Sequence, residues 1–224
     1  MLRTGRITAA QQRALEELWP RFGVEVPTTD AASLDLHSLF GREAPLTVEI
    51  GFGNGDNLAT LAAAHPERNY LGVEVHRPGV GRLLLQAEEQ RLDNLRICAQ
   101  DAVEVLERAL APASVDELII LFPDPWHKAR HHKRRLIQGN FVEVAANRLG
   151  IGGRLLLATD WQPYAEHMVA TLNACGTLQN LSHTGDYVPR PAWRTETRFE
   201  RRGERLGHGV WDLAYVRRKS RNQP

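Results

Sequence analysis

The sequence has few of the features that mark secreted, membrane-spanning or metal-binding proteins. It contains two cysteines in 224 residues, and neither Cys98 nor Cys175 has a Cys or His neighbour at a spacing that would hold a metal. Its longest aliphatic run, about Leu118 to Phe122, is far shorter than the roughly 20 residues of a membrane helix. The first 20 residues have scattered charges and no apolar stretch of signal-peptide length. We therefore expect a soluble, cytoplasmic protein without a bound metal.

The chain also lacks an excess of charge of either sign. The 28 Lys and Arg residues nearly balance the 27 Asp and Glu residues, which gives a formal net charge of +1. This balance gives no indication of a nucleic-acid partner. The charges are unevenly distributed, however, because residues 126–135 carry five Lys or Arg and no acid, and residues 190–224 carry ten against four. Two basic stretches in an otherwise acidic chain predict a local surface for phosphate groups.

The apolar pattern alternates between short β-rich runs and helical stretches with apolar residues near i, i+3 and i+4. Because a parallel connection needs a crossover, usually a helix, this order predicts an α/β fold with a doubly wound, mostly parallel sheet of seven strands. The first five predicted strands are residues 46–52, 69–75, 95–100, 115–122 and 153–159.

The two ends of the chain depart from this alternation. The last two predicted strands, residues 177–184 and 210–217, are joined by a Pro- and Arg-rich stretch instead of a crossover helix, which predicts an antiparallel edge strand. Residues 1–44 show weak periodicity. We expect them to form a partly mobile N-terminal arm, and residues 45–224 to form a single domain.

The first predicted strand ends in a glycine-rich turn in which Glu49 is followed by Gly51, Gly53 and Gly55. The G-x-G-x-x-G fingerprint of nicotinamide-binding proteins would place the third glycine one residue later. An acid two residues before the first glycine suits a cationic ligand better than a pyrophosphate, which it would repel. S-adenosylmethionine, with a sulfonium and an ammonium group, fits this turn.

Acids also lie at the ends of the next two predicted strands. Glu74 lies about 20 residues beyond the glycines, where a carboxylate can accept hydrogen bonds from ribose hydroxyls. Asp101 is placed to accept a hydrogen bond from an adenine amino group. Because ligands of such folds bind beyond the carboxyl ends of the strands, the sequence predicts that these acids share one cofactor site with Glu49.

The fourth predicted strand leads into the segment Phe-Pro-Asp-Pro-Trp, residues 122–126. Pro123 and Pro125 restrict the backbone on both sides of Asp124, so its side chain should be presented in one orientation. Trp126 offers a flat surface on which a base can stack. If all five following cations met phosphates of a single strand, log K would fall with log salt at a slope of about −3.5. These cations are Lys128, Arg130, Lys133, Arg134 and Arg135.

Together, these motifs resemble those of the bacterial tRNA (guanine-N7)-methyltransferases. The resemblance covers about residues 46–216. It implies a class I, Rossmann-like, S-adenosylmethionine-dependent enzyme that methylates N7 of a guanine in the variable loop of tRNA. It also implies a monomer or homodimer with tRNA as its partner, without a membrane or an obligatory protein partner. The motifs that carry it are 49–55, 122–126, 131–136, 158–160 and T-x-F-E…G-x-R-L-G-H over 197–208.

The resemblance implies roles for individual residues, with Asp124 as the catalytic residue. Ala129 departs from the family pattern, since many relatives carry another cation there. The implied cofactor-binding residues are Glu49, Gly51, Gly53, Gly55, Glu74, Asp101 and Asp124. The implied substrate-binding residues are Lys128, Asp160, Thr197, Arg198, Phe199 and Glu200. The implied RNA-interacting residues are Arg130, His131, His132, Lys133, Arg134 and Arg135.

The chemistry of guanine N7 is compatible with these residues. N7 has an in-plane lone pair, so no proton has to be removed before methyl transfer, and placement of the base should dominate catalysis. An ionised carboxylate only accepts hydrogen bonds, so Asp124, Asp160 or Glu200 can bind the N1-H and amino edge of guanine.

Two alternatives remain, besides another RNA guanine as the target. Methyltransferases that act on an exocyclic amino group of a base typically carry an Asp/Asn-Pro-Pro-aromatic turn, and the second proline of that turn is absent here. A non-catalytic RNA-binding module is disfavoured by the intact acids and glycines of the cofactor motif.

Overall fold

The computed structural model describes residues 6–27, 33–194, 200 and 209–219. The contacts within the chain divide it into two compact units, residues 1–111 and 112–224. No helix in the described ranges is long and apolar enough to cross a membrane. The same ranges contain no group of three or more His, Cys, Asp or Glu side chains that could hold a metal ion.

The first unit is built on four parallel strands, β1 (Gly23–Val24), β2 (Leu46–Ile50), β3 (Asn69–Val73) and β4 (Leu95–Cys98). Their order in the sheet is β1-β4-β3-β2. Every residue of β2 and β3 is buried, as expected for parallel strands that helices cover on both faces. The helices are α1 (Ala9–Glu17), α2 (Trp19–Phe22), α3 (Leu36–Phe40), α4 (Asp56–Ala64), α5 (Arg77–Glu89) and α6 (Ala102–Glu104), which a π-helical turn (Val105–Ala109) follows.

The register of this unit brings the carboxyl ends of its strands to one edge. Ile50 of β2 is paired with Val73 of β3, and Val73 is paired with Cys98 of β4. The segments that follow these three residues therefore begin side by side, and they carry the predicted cofactor glycines and the acids Glu74 and Asp101, while Glu49 lies within β2.

The N-terminal residues have regular structure and pack on this unit. A capping box between Thr8 and Gln11 begins α1. The Gln11 side chain donates to the carbonyl of Pro78 at 3.0 Å, and a Cβ added at Gly81 would lie 2.8 Å from Gln11 Cβ. Helix α1 therefore packs closely against α5. The proposed domain boundary at residue 44 stays a prediction.

The second unit contains four strands, β5 (Val115–Leu121), β6 (Leu149–Thr159), β7 (Leu178–Asn180) and β8 (Trp211–Arg217). Their order is β5-β6-β8-β7. Strands β5 and β6 are parallel, and β8 is antiparallel to both of its neighbours. In this register Asp212 of β8 is paired with Ala158, next to the carboxyl end of β6. The helices are a 3₁₀ helix (Ala129–Arg134), α7 (Gly139–Arg148) and α8 (Gln162–Asn173).

The predicted α/β class, with mostly parallel strands and an antiparallel edge, is confirmed. The predicted number of seven strands is wrong, because the described residues form eight. The additional strand is β1, which pairs with β4 over two residues only. Two residues are too few to show an alternation of apolar and polar side chains, so the sequence carries no signal for this strand.

Candidate functional site

The glycine-rich turn follows β2 and leads into α4. Gly51, Gly53 and Gly55 all have positive φ, between 59° and 79°, which an L side chain adopts only with strain. A Cβ added at Gly51 or Gly53 would meet no atom within 4 Å, so the side of the turn that these positions face is open. Gly53 donates its N–H to the Glu74 carboxylate at 3.0 Å. The turn therefore has room for a ligand beside its backbone, and the binding of the cofactor by these glycines stays a prediction.

Glu49 is a buried acid within β2, with 2% of its surface exposed. Its Oε2 accepts a hydrogen bond from Asn57 Nδ2 at 3.0 Å. Burial raises the pKa of Glu49 to about 7, although the bond from Asn57 acts to lower it. A cation bound beside this carboxylate would favour its ionised form. These properties fit the sulfonium and ammonium groups of S-adenosylmethionine.

Glu74 follows β3 and is held in place by three backbone N–H groups. Its Oε1 accepts from Val75 and His76 at 2.8 Å each, and its Oε2 accepts from Gly53. A carboxylate can accept about four hydrogen bonds, so these contacts leave room for one more, on Oε2. The sequence predicted contacts with both ribose hydroxyls, and this geometry favours one.

Asp101 is exposed and forms the N-cap of α6. Its Oδ1 accepts from Val103 N at 2.9 Å and from Glu104 N at 3.4 Å. Capping fixes the orientation of the carboxylate, and both capping bonds use the same oxygen. The other oxygen is the acceptor with which this residue can bind a ligand.

Asp124 lies in a strained loop of the second unit. It is exposed, and the residues two positions before and after it, Phe122 and Trp126, have positive φ of 51° and 45°. Phe122 donates its N–H to the carbonyl of Ala158 at 2.8 Å, which ties the start of the loop to β6. Side chains other than glycine rarely adopt this conformation, and such strain clusters at functional sites. The contacts of the loop therefore restrict the backbone on both sides of Asp124, and the single orientation of its side chain stays a prediction.

The loops that follow β5 and β6 contact each other. The rings of His127 and Trp161 pack edge to face, with centroids 4.3 Å apart. Trp161 directly follows Asp160, which is half-buried. The predicted substrate residue Asp160 and the loop that carries Asp124 are thus parts of one surface of the second unit.

The cationic stretch, residues 128–135, is largely exposed. Lys128, Arg130, Lys133 and Arg134 are accessible, and the Arg134 guanidinium lies 5.0 Å from the centre of the Trp126 ring. Arg135 differs from them, because only 4% of its surface is exposed and its Nε donates to the carbonyl of Pro125 at 2.9 Å. Burial lowers the pKa of Arg135. Four of the five cations are thus accessible to a phosphate backbone.

Glu200, a predicted substrate residue, is 1% exposed and takes part in a buried ion-pair network. Its two carboxylate oxygens accept from Arg194 Nη1 at 2.6 Å and from Nη2 at 2.9 Å. Arg194 also pairs with Asp212 of β8 at 2.8 Å, and its guanidinium lies 5.5 Å from the Phe122 ring centre. Burial raises the pKa of Asp212, an effect that Arg194 opposes. The predicted substrate residues Thr197, Arg198 and Phe199 lie outside the described residues.

Comparison with known proteins agrees with these features. A family model described as a putative methyltransferase matches residues 43–213. A tRNA (guanine-N(7)-)-methyltransferase of Sodalis glossinidius is 56% identical over 96% of this chain and 89% of its own length. One of Yersinia pseudotuberculosis is 54% identical over 97% of this chain and 90% of its own length.

The chain belongs to the tRNA (guanine-N7)-methyltransferase family.

Solved structures show the same fold at low sequence identity. A 16S rRNA methyltransferase, KamB, superimposes with a TM-score of 0.58 at 18% identity and covers 84% of this chain and 95% of its own. A mutant 16S rRNA (adenine(1408)-N(1))-methyltransferase from Catenulisporales acidiphilia, solved with its cosubstrate SAM, superimposes with a TM-score of 0.57 at 17% identity. It covers 86% of this chain and 96% of its own. The predicted class I, Rossmann-like methyltransferase fold is confirmed.

Sequence reasoning missed three residues that contact predicted site residues. Asn57 is the hydrogen-bond partner of Glu49. The sequence feature that could have indicated it is a polar residue beside the apolar face of α4. Gly79 in α5 approaches the glycine turn so closely that an added Cβ would lie 1.9 Å from the carbonyl oxygen of Gly53. A glycine inside a helical pattern usually has such a packing reason. No pattern in the sequence indicated Arg194, because five residues separate it from Glu200, and Asp212 lies still further along the chain.

Proposed function

We propose that the protein transfers a methyl group from S-adenosylmethionine to N7 of a guanine in the variable loop of tRNA, giving 7-methylguanosine. The observation that carries this proposal is the 56% identity, over nearly the whole chain, to a protein named tRNA (guanine-N(7)-)-methyltransferase. The exposed Asp124 in its strained loop and the exposed cations after it support an RNA base as the substrate.

The first unit has the residues that would hold the cofactor. The open backbone at Gly51 and Gly53 would accept its methionine portion, and buried Glu49 would balance its positive charge. Glu74 would accept one ribose hydroxyl through Oε2, and Asp101 would accept the adenine amino group. Bound S-adenosylmethionine would supply the methyl group of its sulfonium. As the bond from the methyl carbon to N7 forms, the bond from that carbon to sulfur breaks and its electron pair stays on the sulfur.

Asp124 acts on the guanine itself. Its carboxylate can accept hydrogen bonds from the N1-H and the amino group of the base, which fixes the orientation of N7. It also offsets the positive charge that develops on the purine as N7 becomes methylated. No proton has to leave N7, so this positioning, and not general base catalysis, is the contribution of Asp124.

The remaining residues hold the RNA. Lys128 and Asp160 contact the nucleotide, and the exposed part of the cationic stretch contacts the backbone of a loop from which the guanine can be reached. N7 lies in the major groove, which is deep and narrow in an RNA duplex, so the target must be exposed in a loop or unstacked. We assign Glu200 to the support of this surface through Arg194, because its carboxylate is buried.

The test is to incubate the purified protein with labelled S-adenosylmethionine and bulk unmethylated tRNA, and then to identify the labelled nucleoside. We expect 7-methylguanosine. Cleavage of the RNA by aniline after borohydride reduction would locate it, and we expect the variable loop. Label in a nucleoside methylated on an exocyclic amino group would overturn the proposal and support the amino-methylating alternative. Label in 7-methylguanosine at another position would overturn the assignment to the variable loop alone.

A further inference from the structure

Arg135 differs from the other cations of the stretch in its surroundings. Its neighbours Lys133 and Arg134 are exposed, whereas Arg135 is 4% exposed. A phosphate backbone is bound by cations that it can reach from solvent. The location of Arg135 therefore indicates a different role from that of its neighbours.

The contacts of Arg135 connect the loop around Asp124 to the core of the second unit. Its Nε donates to the carbonyl of Pro125, the residue directly after Asp124, at 2.9 Å. Its guanidinium lies 4.8 Å from the ring centre of Tyr164, which is fully buried in α8. The Tyr164 hydroxyl in turn accepts from Ile137 N at 3.3 Å. One side chain thus links the backbone beside Asp124 to a rigid aromatic residue.

This link matters because the loop is strained. Phe122 and Trp126 both have positive φ, and such conformations persist only where the surrounding contacts hold them. Without Arg135, the carbonyl of Pro125 would lose its hydrogen bond and the loop could relax away from its present conformation. Lysine could not replace arginine fully, because it cannot stack a planar group on Tyr164 and donate to Pro125 at the same time.

We propose that Arg135 is a positioning residue that holds the carbonyl of Pro125, and through it the orientation of Asp124, and that it does not bind an RNA phosphate. The proposal rests on the proposed function, because it assumes that Asp124 orients the guanine. It reassigns a residue that the sequence grouped with the RNA contacts.

The deciding variant is Arg135→Lys, which keeps the charge and removes the flat guanidinium. If Arg135 is a positioning residue, Arg135→Lys should lower kcat about tenfold, because small misplacements reduce catalysis strongly. KM for tRNA and the salt dependence of tRNA binding should not change. A phosphate contact would instead be preserved by lysine, so wild-type kcat in Arg135→Lys would overturn the proposal. The measurements are steady-state kinetics and tRNA binding at a series of salt concentrations.

Arg135→Met and Lys133→Met form a matched pair. Lys133→Met should raise KM for tRNA and make the salt slope of binding shallower by about 0.7, the effect of one lost phosphate contact. Arg135→Met should lower kcat about 100-fold and leave the salt slope unchanged. A shallower slope in Arg135→Met would overturn the proposal. If circular dichroism shows that Arg135→Met does not fold, Arg135→Lys decides the question by itself.

These outcomes are distinct from a failure of the proposed function. That failure would appear as the absence of 7-methylguanosine with the wild-type protein. The salt slopes of Arg135→Met and Lys133→Met would still be measurable, and a slope for Arg135→Met that is shallower than that of the wild type would still overturn the proposal for Arg135.

Discussion

The raised pKa of Glu49 gives a quantitative prediction about stability. Burial raises this pKa from the ordinary 4.5 to about 7. The folded protein therefore binds the Glu49 proton more tightly than the unfolded chain does. The contribution of this group to stability is fully present below pH 4.5 and is lost as the pH rises through 7. At 1.36 kcal/mol per pH unit, the loss approaches about 3 kcal/mol at pH 8.

The perturbation is Glu49→Gln, which keeps the shape of the side chain and cannot ionise. At pH 5 the variant and the wild type should differ little in the free energy of unfolding. At pH 8 the variant should be more stable by up to about 3 kcal/mol, because it has no buried charge. Urea unfolding followed by circular dichroism at both pH values measures this difference.

The same variant should bind S-adenosylmethionine more weakly. Loss of a charge-assisted contact worth about 1.5–3 kcal/mol raises Kd about 10- to 100-fold, which calorimetry can measure at pH 8. Wild-type affinity should increase as the pH rises towards 7 and then level off, because the ionised carboxylate binds the cation, whereas the affinity of Glu49→Gln should not follow this titration.

A buried acid with an ion partner provides the control. Glu117 of β5 is buried and pairs with Arg154, so Glu117→Gln should lower stability at pH 8, the opposite sign to Glu49→Gln. The reasoning about Glu49 is refuted if Glu49→Gln gains no stability relative to wild type between pH 5 and pH 8. An unchanged Kd for S-adenosylmethionine would remove Glu49 from the cofactor site.

Three further variants test other parts of the site. Asp124→Ala should fold normally, because Asp124 is exposed, and should lower kcat at least about 100-fold in the tRNA methylation assay; near-wild-type turnover would remove it from the mechanism. Gly79→Ala should weaken S-adenosylmethionine binding in calorimetry, since its Cβ would push against Gly53, whereas Gly139→Ala, with open space around its Cβ, should not; equal affinities would contradict the close approach. Arg194→Met should destabilise the protein by about 3–5 kcal/mol in urea unfolding, because it removes the buried cation that pairs with both Glu200 and Asp212. Glu88→Gln, which removes an exposed pair with Arg21, should cost no more than about 1 kcal/mol, and a similar cost for the two variants would contradict this account.

The sequence alone is enough to predict the alternation of strands and helices from β2 to β6 and the positions of the acids at the ends of β2, β3 and β4. The β-rich runs were visible because β2 and β3 are buried along their whole length and are therefore continuously apolar or β-branched apart from Glu49, Asn69 and Gly72. The glycines of the turn were visible because their positive φ requires glycine. The prolines beside Asp124 predicted a restricted loop because proline acts on its own neighbours.

The tertiary structure decided which of these residues are accessible and which partners they have. Arg134 and Arg135 are adjacent and both cationic, yet one is exposed and the other lies against Tyr164, 29 residues further along the chain. Glu200 was predicted as a substrate contact, but the structure shows it buried and paired with Arg194, which also pairs with Asp212. Local sequence restricts the backbone of a residue and its neighbours, whereas burial depends on packing between segments that are distant in sequence. The sequence therefore predicted candidate groups for the chemistry, and the fold shows which of them are exposed and which are buried among partners.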